Sequence, residues 1–378
     1  MRELIDGSTA IVRGALAAGC DFFAGYPITP ASSILTSMMS ELPKVGGVAI
    51  QGEDEISSIG MCIGAAMAGS RALTATSGPG LSLYSENIGL AIMGEVPLVI
   101  VDVQRLGPAT GGATTTAQGD VQFVRWGTSG GFPIIALAPS SIQECAELTS
   151  EAFRLAQRFR CPVFVLTDKE LNLTLNTVEM GDGNGTAGPP IPATAGSAKP
   201  KRPYRYEPPD GVPPLVPYGG ETTVRFTGSS HDERALITKD PLTVGALNRH
   251  LAAKIEDHRD EIERVTADLE PGARTLFVSY GSTARTMREA VRQARQEGWK
   301  VSALTVQSLW PVPETALAVA LSSCIDRVVV AELNLGQYRR EIERLVGSLP
   351  GLAGLSVRGL HRVDGELLTP EQFLETLV

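Results

Sequence analysis

Apolar residues along the first 175 positions fall in short strand-like runs separated by stretches with helical spacing. Runs at 22–24, 48–50, 71–75, 98–101, 132–137 and 163–166 predict strands. The run Leu98-Val99-Ile100-Val101 is apolar on both faces, as a central parallel strand is. Between these runs the pattern predicts helices from an N-cap at Ser8 to Ala18, from Thr29-Pro30 towards Leu42, and over 53–68, 81–93 and 141–155. Such alternation predicts a doubly wound parallel sheet, so the fold class is α/β. From Arg274 the alternation resumes, with strands expected at 276–279, 301–306, 327–331 and 355–360. Helices are expected at 284–297, from Pro313, and at 337–345. That is a second, smaller α/β unit.

The stretch between the two units differs. Residues 176 to about 235 are rich in Gly, Pro, Thr and Ala, which predicts an extended linker draped over a surface. One long charged helix is expected within 240–268, especially 248–269, as a solvated connector or subunit contact. The organisation expected is therefore residues 1–175, a linker and helix over 176–270, and a second unit over 271–378.

Composition narrows the function. A net charge of −9, with the acids dispersed, argues against nucleic acid or an anionic membrane as partner. The apolar run 89–103 is broken by Glu95 and Pro97 and is not a membrane span. The start carries no signal-peptide core, so a cytoplasmic protein is expected. Cys20, Cys62, Cys145, Cys161 and Cys324 show no CxxC or CxxH spacing, which predicts buried hydrophobes rather than cluster or metal ligands. The four histidines are scattered as well.

Three positions are candidates for chemistry. Glu55 closes an acidic triplet, Glu53-Asp54-Glu55, at a helix start, where carboxylates also gain from the macrodipole. Behind it, Gly60, Gly64 and Ala68 share one face and permit close approach of another backbone or a planar ring. Thr29 is an N-cap candidate, and the free N–H groups of a helix start also suit a carboxylate. Arg105 follows the central strand, where ligands bind in open α/β sheets; it is equally a surface arginine paired to an acid. Two leads fail. Gly181-Asp182-Gly183 lacks the helix and downstream Asn that a diphosphate–Mg²⁺ motif needs, and Ser77-Gly78-Pro79-Gly80 does not match GxGxxG.

Taken together, Gly25-Tyr26-Pro27-Ile28-Thr29-Pro30, Gln51-Gly52-Glu53-Asp54-Glu55, Thr74-Ala75-Thr76-Ser77-Gly78-Pro79-Gly80 and Arg105-Leu106-Gly107-Pro108 carry a family resemblance. Gly228-Ser229-Ser230-His231-Asp232-Glu233 and Glu332-Leu333-Asn334-Leu335-Gly336-Gln337 extend it in order over most of the chain. The chain resembles the alpha subunits of 2-oxoacid:ferredoxin oxidoreductases, in particular the 2-oxoglutarate type. The resemblance implies a pyrimidine-type thiamine diphosphate-binding domain followed by a transketolase C-terminal-like domain. It implies that Glu55 hydrogen-bonds N1′ of the cofactor's aminopyrimidine, that Pro27 and Ile28 line the cofactor cleft, and that Thr29 and Arg105 hold the substrate carboxylate. Coenzyme A would be co-substrate. Mg²⁺, the diphosphate motif and 4Fe-4S clusters would come from a beta subunit in an assembly such as (αβ)₂. A gamma or flavin/NAD module would be separate or absent, and ferredoxin is the expected acceptor. An E1 beta-type subunit of a 2-oxoacid dehydrogenase and a non-catalytic α/β binding subunit stand as alternatives.

Overall fold

The computed structural model describes residues 2–179, 202–208, 210–220, 223–322, 325–352 and 354–378. Among the described residues eight strands fall within 1–179: β1 (Arg2–Ile5), β2 (Phe22–Gly25), β3 (Val48–Gln51), β4 (Ala72–Thr76), β5 (Leu98–Gln104), β6 (Ile135–Leu137), β7 (Pro162–Asp168) and β8 (Asn176–Glu179), the last where a linker is expected. Six more follow from 265 on: β9 (Val265–Asp268), also inside the expected linker-and-helix span, β10 (Thr275–Ser279), β11 (Val301–Val306), β12 (Ser308–Trp310), β13 (Arg327–Glu332) and β14 (Ser356–His361). The first sheet runs β12-β6-β7-β5-β4-β2-β3 and is parallel except for β12, which pairs antiparallel with β6. The second runs β14-β13-β10-β11-β9, with β9 antiparallel at its edge, and β1 pairs antiparallel with β8 in a separate two-stranded sheet.

Strand alternation divides the core between layers. On β5, Leu98 and Ile100 join a cluster that includes Leu276, Val278, Leu304 and Val330 from the second sheet. Val99, Val101 and Val103 face the other way, onto the helices Gly7–Ala17, Ser32–Glu41 and Ile142–Phe159. A third cluster covers the outer face of the second sheet with the helices Thr283–Gln296 and Pro370–Glu375. Period-two burial on parallel strands thus yields a shared middle layer between two sheets.

Several local expectations are corrected. Asp6, not Ser8, caps the first helix, accepting from Thr9 N at 2.8 Å. Thr29 caps nothing: the second helix begins at Ser32, because the Pro30 carbonyl accepts from the side chains of Asn172 and Ser33 instead of starting the helix ladder. The span 81–93 is two helices, Gly78–Leu83 and Ser85–Met93. The long charged helix ends at Glu256, and a short helix Arg259–Ile262 and β9 follow.

Nor is that helix merely solvated. Leu247, His250, Leu251, Lys254 and Ile255 are buried, the polar pair because both reach Glu95, which lies between the helix Ser85–Met93 and β5. The described residues 202–240 form no regular strand or helix, and Arg160 donates to the carbonyls of Pro213 and Pro214. The Gly181-Asp182-Gly183 lead and Cys324 lie outside the described residues; Cys20, Cys62, Cys145 and Cys161 are buried and free. Burial raises the Cys62 and Cys161 thiols to about 12, so they stay protonated. Among the described residues no helix is long and apolar enough to cross a membrane.

Candidate active site

The strand order places β3 on one side of β2 and β4 on the other. This reversal opens a crevice at the C-terminal ends of the strands, where open α/β sheets bind ligands. Four segments leave the sheet there. Tyr26–Thr29 follows β2, Gly52–Glu55 follows β3, Ser77–Gly80 follows β4 and Arg105 follows β5.

Glu55 is the first residue of the helix Glu55–Met67. Asp54 caps that helix, accepting from Ser57 N at 2.7 Å while Ser57 Oγ accepts from Asp54 N at 3.2 Å. Glu53 and Asp54 therefore precede the helix rather than fill its first turn, and the capping box leaves Glu55 unengaged. Glu55 is only 7% exposed, and its carboxylate takes no hydrogen bond among the described residues. It lies over Gly80: a Cβ there would come within 2.7 Å of Glu55 Cγ and 2.1 Å of Thr76 Oγ1. Gly80 is thus a glycine because the Thr76 hydroxyl and the Glu55 side chain together occupy the space a Cβ would need. Gly60 and Gly64 face open space, with none of the described residues packed against them.

The structure brings Arg105 and Thr29 together. Arg105 is 7% exposed and donates from one terminal nitrogen to the Thr29 carbonyl, while its Nε has no partner. Thr29 and Pro27 are exposed, and Ile28 packs partly against the core beneath. A guanidinium with free donors beside an exposed hydroxyl suits a carboxylate.

Sequence reasoning missed further residues here. Asp102, on β5, is fully buried and has Thr76 and Leu166 as its register partners. It meets the carboxyl of Asp120, whose N–H donates to Gln104 Oε1 at 3.1 Å. Burial, then the neighbouring Asp120 charge, raises Asp102 well above the usual carboxylate range; burial lifts Asp120 to about 6 against the pull of Arg105. The available signal was an aspartate inside the apolar run 98–103.

These groups fit the pyrimidine half of thiamine diphosphate: an unengaged, shielded carboxylate can accept from a ring nitrogen at the crevice. No cluster of three or more His, Cys, Asp or Glu suited to a metal occurs among the described residues.

Residues 13–248 match the family model "Pyruvate flavodoxin/ferredoxin oxidoreductase, thiamine diP-bdg", and residues 273–373 match "Pyruvate:ferredoxin oxidoreductase core domain II". The chain belongs to this family of thiamine diphosphate-binding oxidoreductases. Within it, the chain groups with the alpha subunits of the 2-oxoglutarate:ferredoxin type. It is 42% identical over 371 residues to the 2-oxoglutarate synthase subunit KorA of Methanocaldococcus jannaschii, covering 98% of this chain and 97% of that subunit. The solved 2-oxoglutarate:ferredoxin oxidoreductase from Magnetococcus marinus, with 2-oxoglutarate, coenzyme A and succinyl-CoA bound, superposes with a TM-score of 0.90 at 30% identity. That match covers all of this chain, which spans 64% of the length of the solved one. A split-gene transketolase matches with a TM-score of 0.58 at 12% identity over 98% of this chain and 95% of that one, a likeness of fold alone.

Proposed function

We propose that this chain supplies the pyrimidine and substrate-carboxylate walls of an active site that oxidatively decarboxylates 2-oxoglutarate. Coenzyme A takes up the acyl group as succinyl-CoA, CO₂ leaves, and the electron pair passes to iron–sulfur clusters on a partner chain and on to ferredoxin. The observation that carries this reading is the unengaged Glu55 carboxylate in the same crevice as the Arg105–Thr29 pair. Thiamine diphosphate, when bound, supplies the electron sink for loss of CO₂.

This chain's residues do the rest of the work on their wall of the site. Glu55 accepts a hydrogen bond from the pyrimidine N1′, and its shielding from water strengthens that bond. Arg105 pairs with the 2-oxoacid carboxylate, and the Thr29 hydroxyl adds a donor, fixing the oxo carbon relative to the cofactor. Pro27 and Ile28 wall the cleft against solvent. The diphosphate, Mg²⁺ and 4Fe-4S sites are assigned to a beta subunit, with (αβ)₂ as the expected assembly in the cytoplasm.

The test is the co-purified alpha–beta complex with a panel of 2-oxoacids and a reducible dye. 2-Oxoglutarate should be preferred, and Glu55→Gln should abolish dye reduction while the complex still elutes intact. Normal turnover by that variant would remove Glu55 from the role, and preference for a branched or short 2-oxoacid would overturn the substrate.

A further inference from the structure

Three buried or partly buried carboxyls gather at the C-terminal ends of the central strands, and they differ in what they hold. Asp168, on β7, accepts from Leu171 N, Ser282 N and Gln118 Nε2, so its charge is satisfied. Asp102 is fully buried, and neither of its oxygens has a donor among the described residues; Oδ2 of Asp120 has none either. Among the described residues the Asp102 carboxyl faces that of Asp120, and no donor of the chain stands between them. Two carboxylates cannot bond to one another unless a proton lies between them.

Asp120 stands at the N-cap position of the helix Val121–Trp126, yet its side chain makes no capping bond. It turns instead over Gly78, where an added Cβ would lie 3.1 Å and 3.2 Å from its two oxygens. Gly80, two residues on, carries Glu55 in the same way, so one turn seats both carboxylates. The charged neighbours are thus Arg105, which draws Asp120 towards its ionised form, Glu55 across the turn, and the satisfied Asp168. Thr76, Leu166 and Gln104 complete the surround without adding charge.

We propose that Asp102 and Asp120 share one proton and act as a positioning pair for Arg105, so that binding the substrate carboxylate is linked to uptake of a second proton by the pair. This rests on the assignment of Arg105 to the substrate carboxylate. In the free enzyme, ionised Asp120 is a counter-charge to Arg105, beside the place where the substrate's anion sits. A bound carboxylate takes over the guanidinium, and Asp120, deprived of part of its partner, protonates more readily. Protonated Asp120 no longer repels the substrate, so affinity is higher below its titration range and falls as pH rises through it. Each unit by which binding raises the Asp120 pKa appears as a tenfold span between the low-pH and high-pH limits of KM.

The test uses the intact alpha–beta complex. In the wild type, kcat/KM for 2-oxoglutarate should fall as pH rises through about 6, with the change carried by KM rather than kcat. Asp120→Asn should flatten that limb and keep KM at its low-pH value at neutral pH. Infrared spectroscopy should show a protonated-carboxyl C=O band that Asp102→Asn removes, a readout needing no turnover. Retention of the wild-type KM limb by Asp120→Asn, or absence of an Asp102-dependent band, overturns the proposal. Failure of the complex to turn over any 2-oxoacid would instead overturn the functional reading, while the band would still decide the shared proton.

Discussion

Glu95 is the place where a single isosteric change should cost this protein most. Its Oε2 accepts from His250 Nε2 and from Lys254 Nζ, each at 3.0 Å, and its backbone carbonyl accepts from Arg160 Nε at 3.1 Å. Glu95, His250 and Lys254 are all essentially inaccessible to water. The residue also sits at φ 51°, a left-handed conformation that costs an L-residue roughly 1–2 kcal/mol. Burial alone would raise its pKa, but Lys254, His250 and Arg160 outweigh burial and hold the carboxyl far below the usual range.

Glu95→Gln keeps the shape and removes the charge. Lys254 is then left ionised in the interior with neutral acceptors alone, the new amide oxygen and the Arg160 carbonyl at 3.0 Å. Breaking a buried ion pair on one side costs about 3–5 kcal/mol. At roughly 2–4 °C per kcal/mol for units of this size, the melting midpoint should fall by about 6–20 °C. Circular dichroism of the purified complex during a thermal scan measures this. The sign with pH follows from the depressed pKa: the stabilisation is present above the ordinary carboxylate range and drains away as pH falls below about 4.5. The variant should therefore lose less stability than the wild type between pH 5 and pH 3 (roughly the window of an unfolded carboxylate). A midpoint within about 2 °C of wild type would refute the view that this cluster carries net stability.

Other consequences can be checked on the same complex. Arg105→Ala should raise the 2-oxoacid KM by about tenfold or more, since a charge-assisted pair contributes roughly 1.5–3 kcal/mol. An unchanged KM would remove Arg105 from the substrate site. Gly80→Ala places a methyl 2.1 Å from Thr76 Oγ1 and 2.7 Å from Glu55 Cγ, so turnover should fall steeply even where the chain still folds. Gly60→Ala meets none of the described residues, and its effect should appear in assembly with the partner rather than in the stability of the alpha chain.

The parallel-strand alternation was readable because strands buried on both faces, such as Leu98–Gln104, carry apolar side chains at nearly every position. That Thr29, Glu55 and Arg105 would lie on one side of the sheet was readable for a related reason: strand ends in a doubly wound sheet converge on one edge, and there Arg105 reaches the Thr29 carbonyl. What was illegible depends on partners remote in sequence. His250 and Lys254 look like solvated charges until Glu95, some 150 residues earlier, is seen to draw them inward. Thr29 looks like a cap because Thr-Pro is a helix-start signal. The Asn172 side chain occupies the Pro30 carbonyl, and no local pattern records that. Asp120, likewise a natural cap residue, forgoes the cap for Asp102.

The three-residue strand β12 has a consequence for how such a protein can be cut or exchanged. It belongs by sequence to the second unit but closes the edge of the first sheet beside β6, and its Trp310 Nε1 donates to the Val121 carbonyl at 3.1 Å. A fragment ending before it would present β6 with an unpaired rim, an invitation to strand exchange with another copy. Hybrids that swap the second unit between relatives must therefore carry a matching strand, or the first unit inherits an open seam.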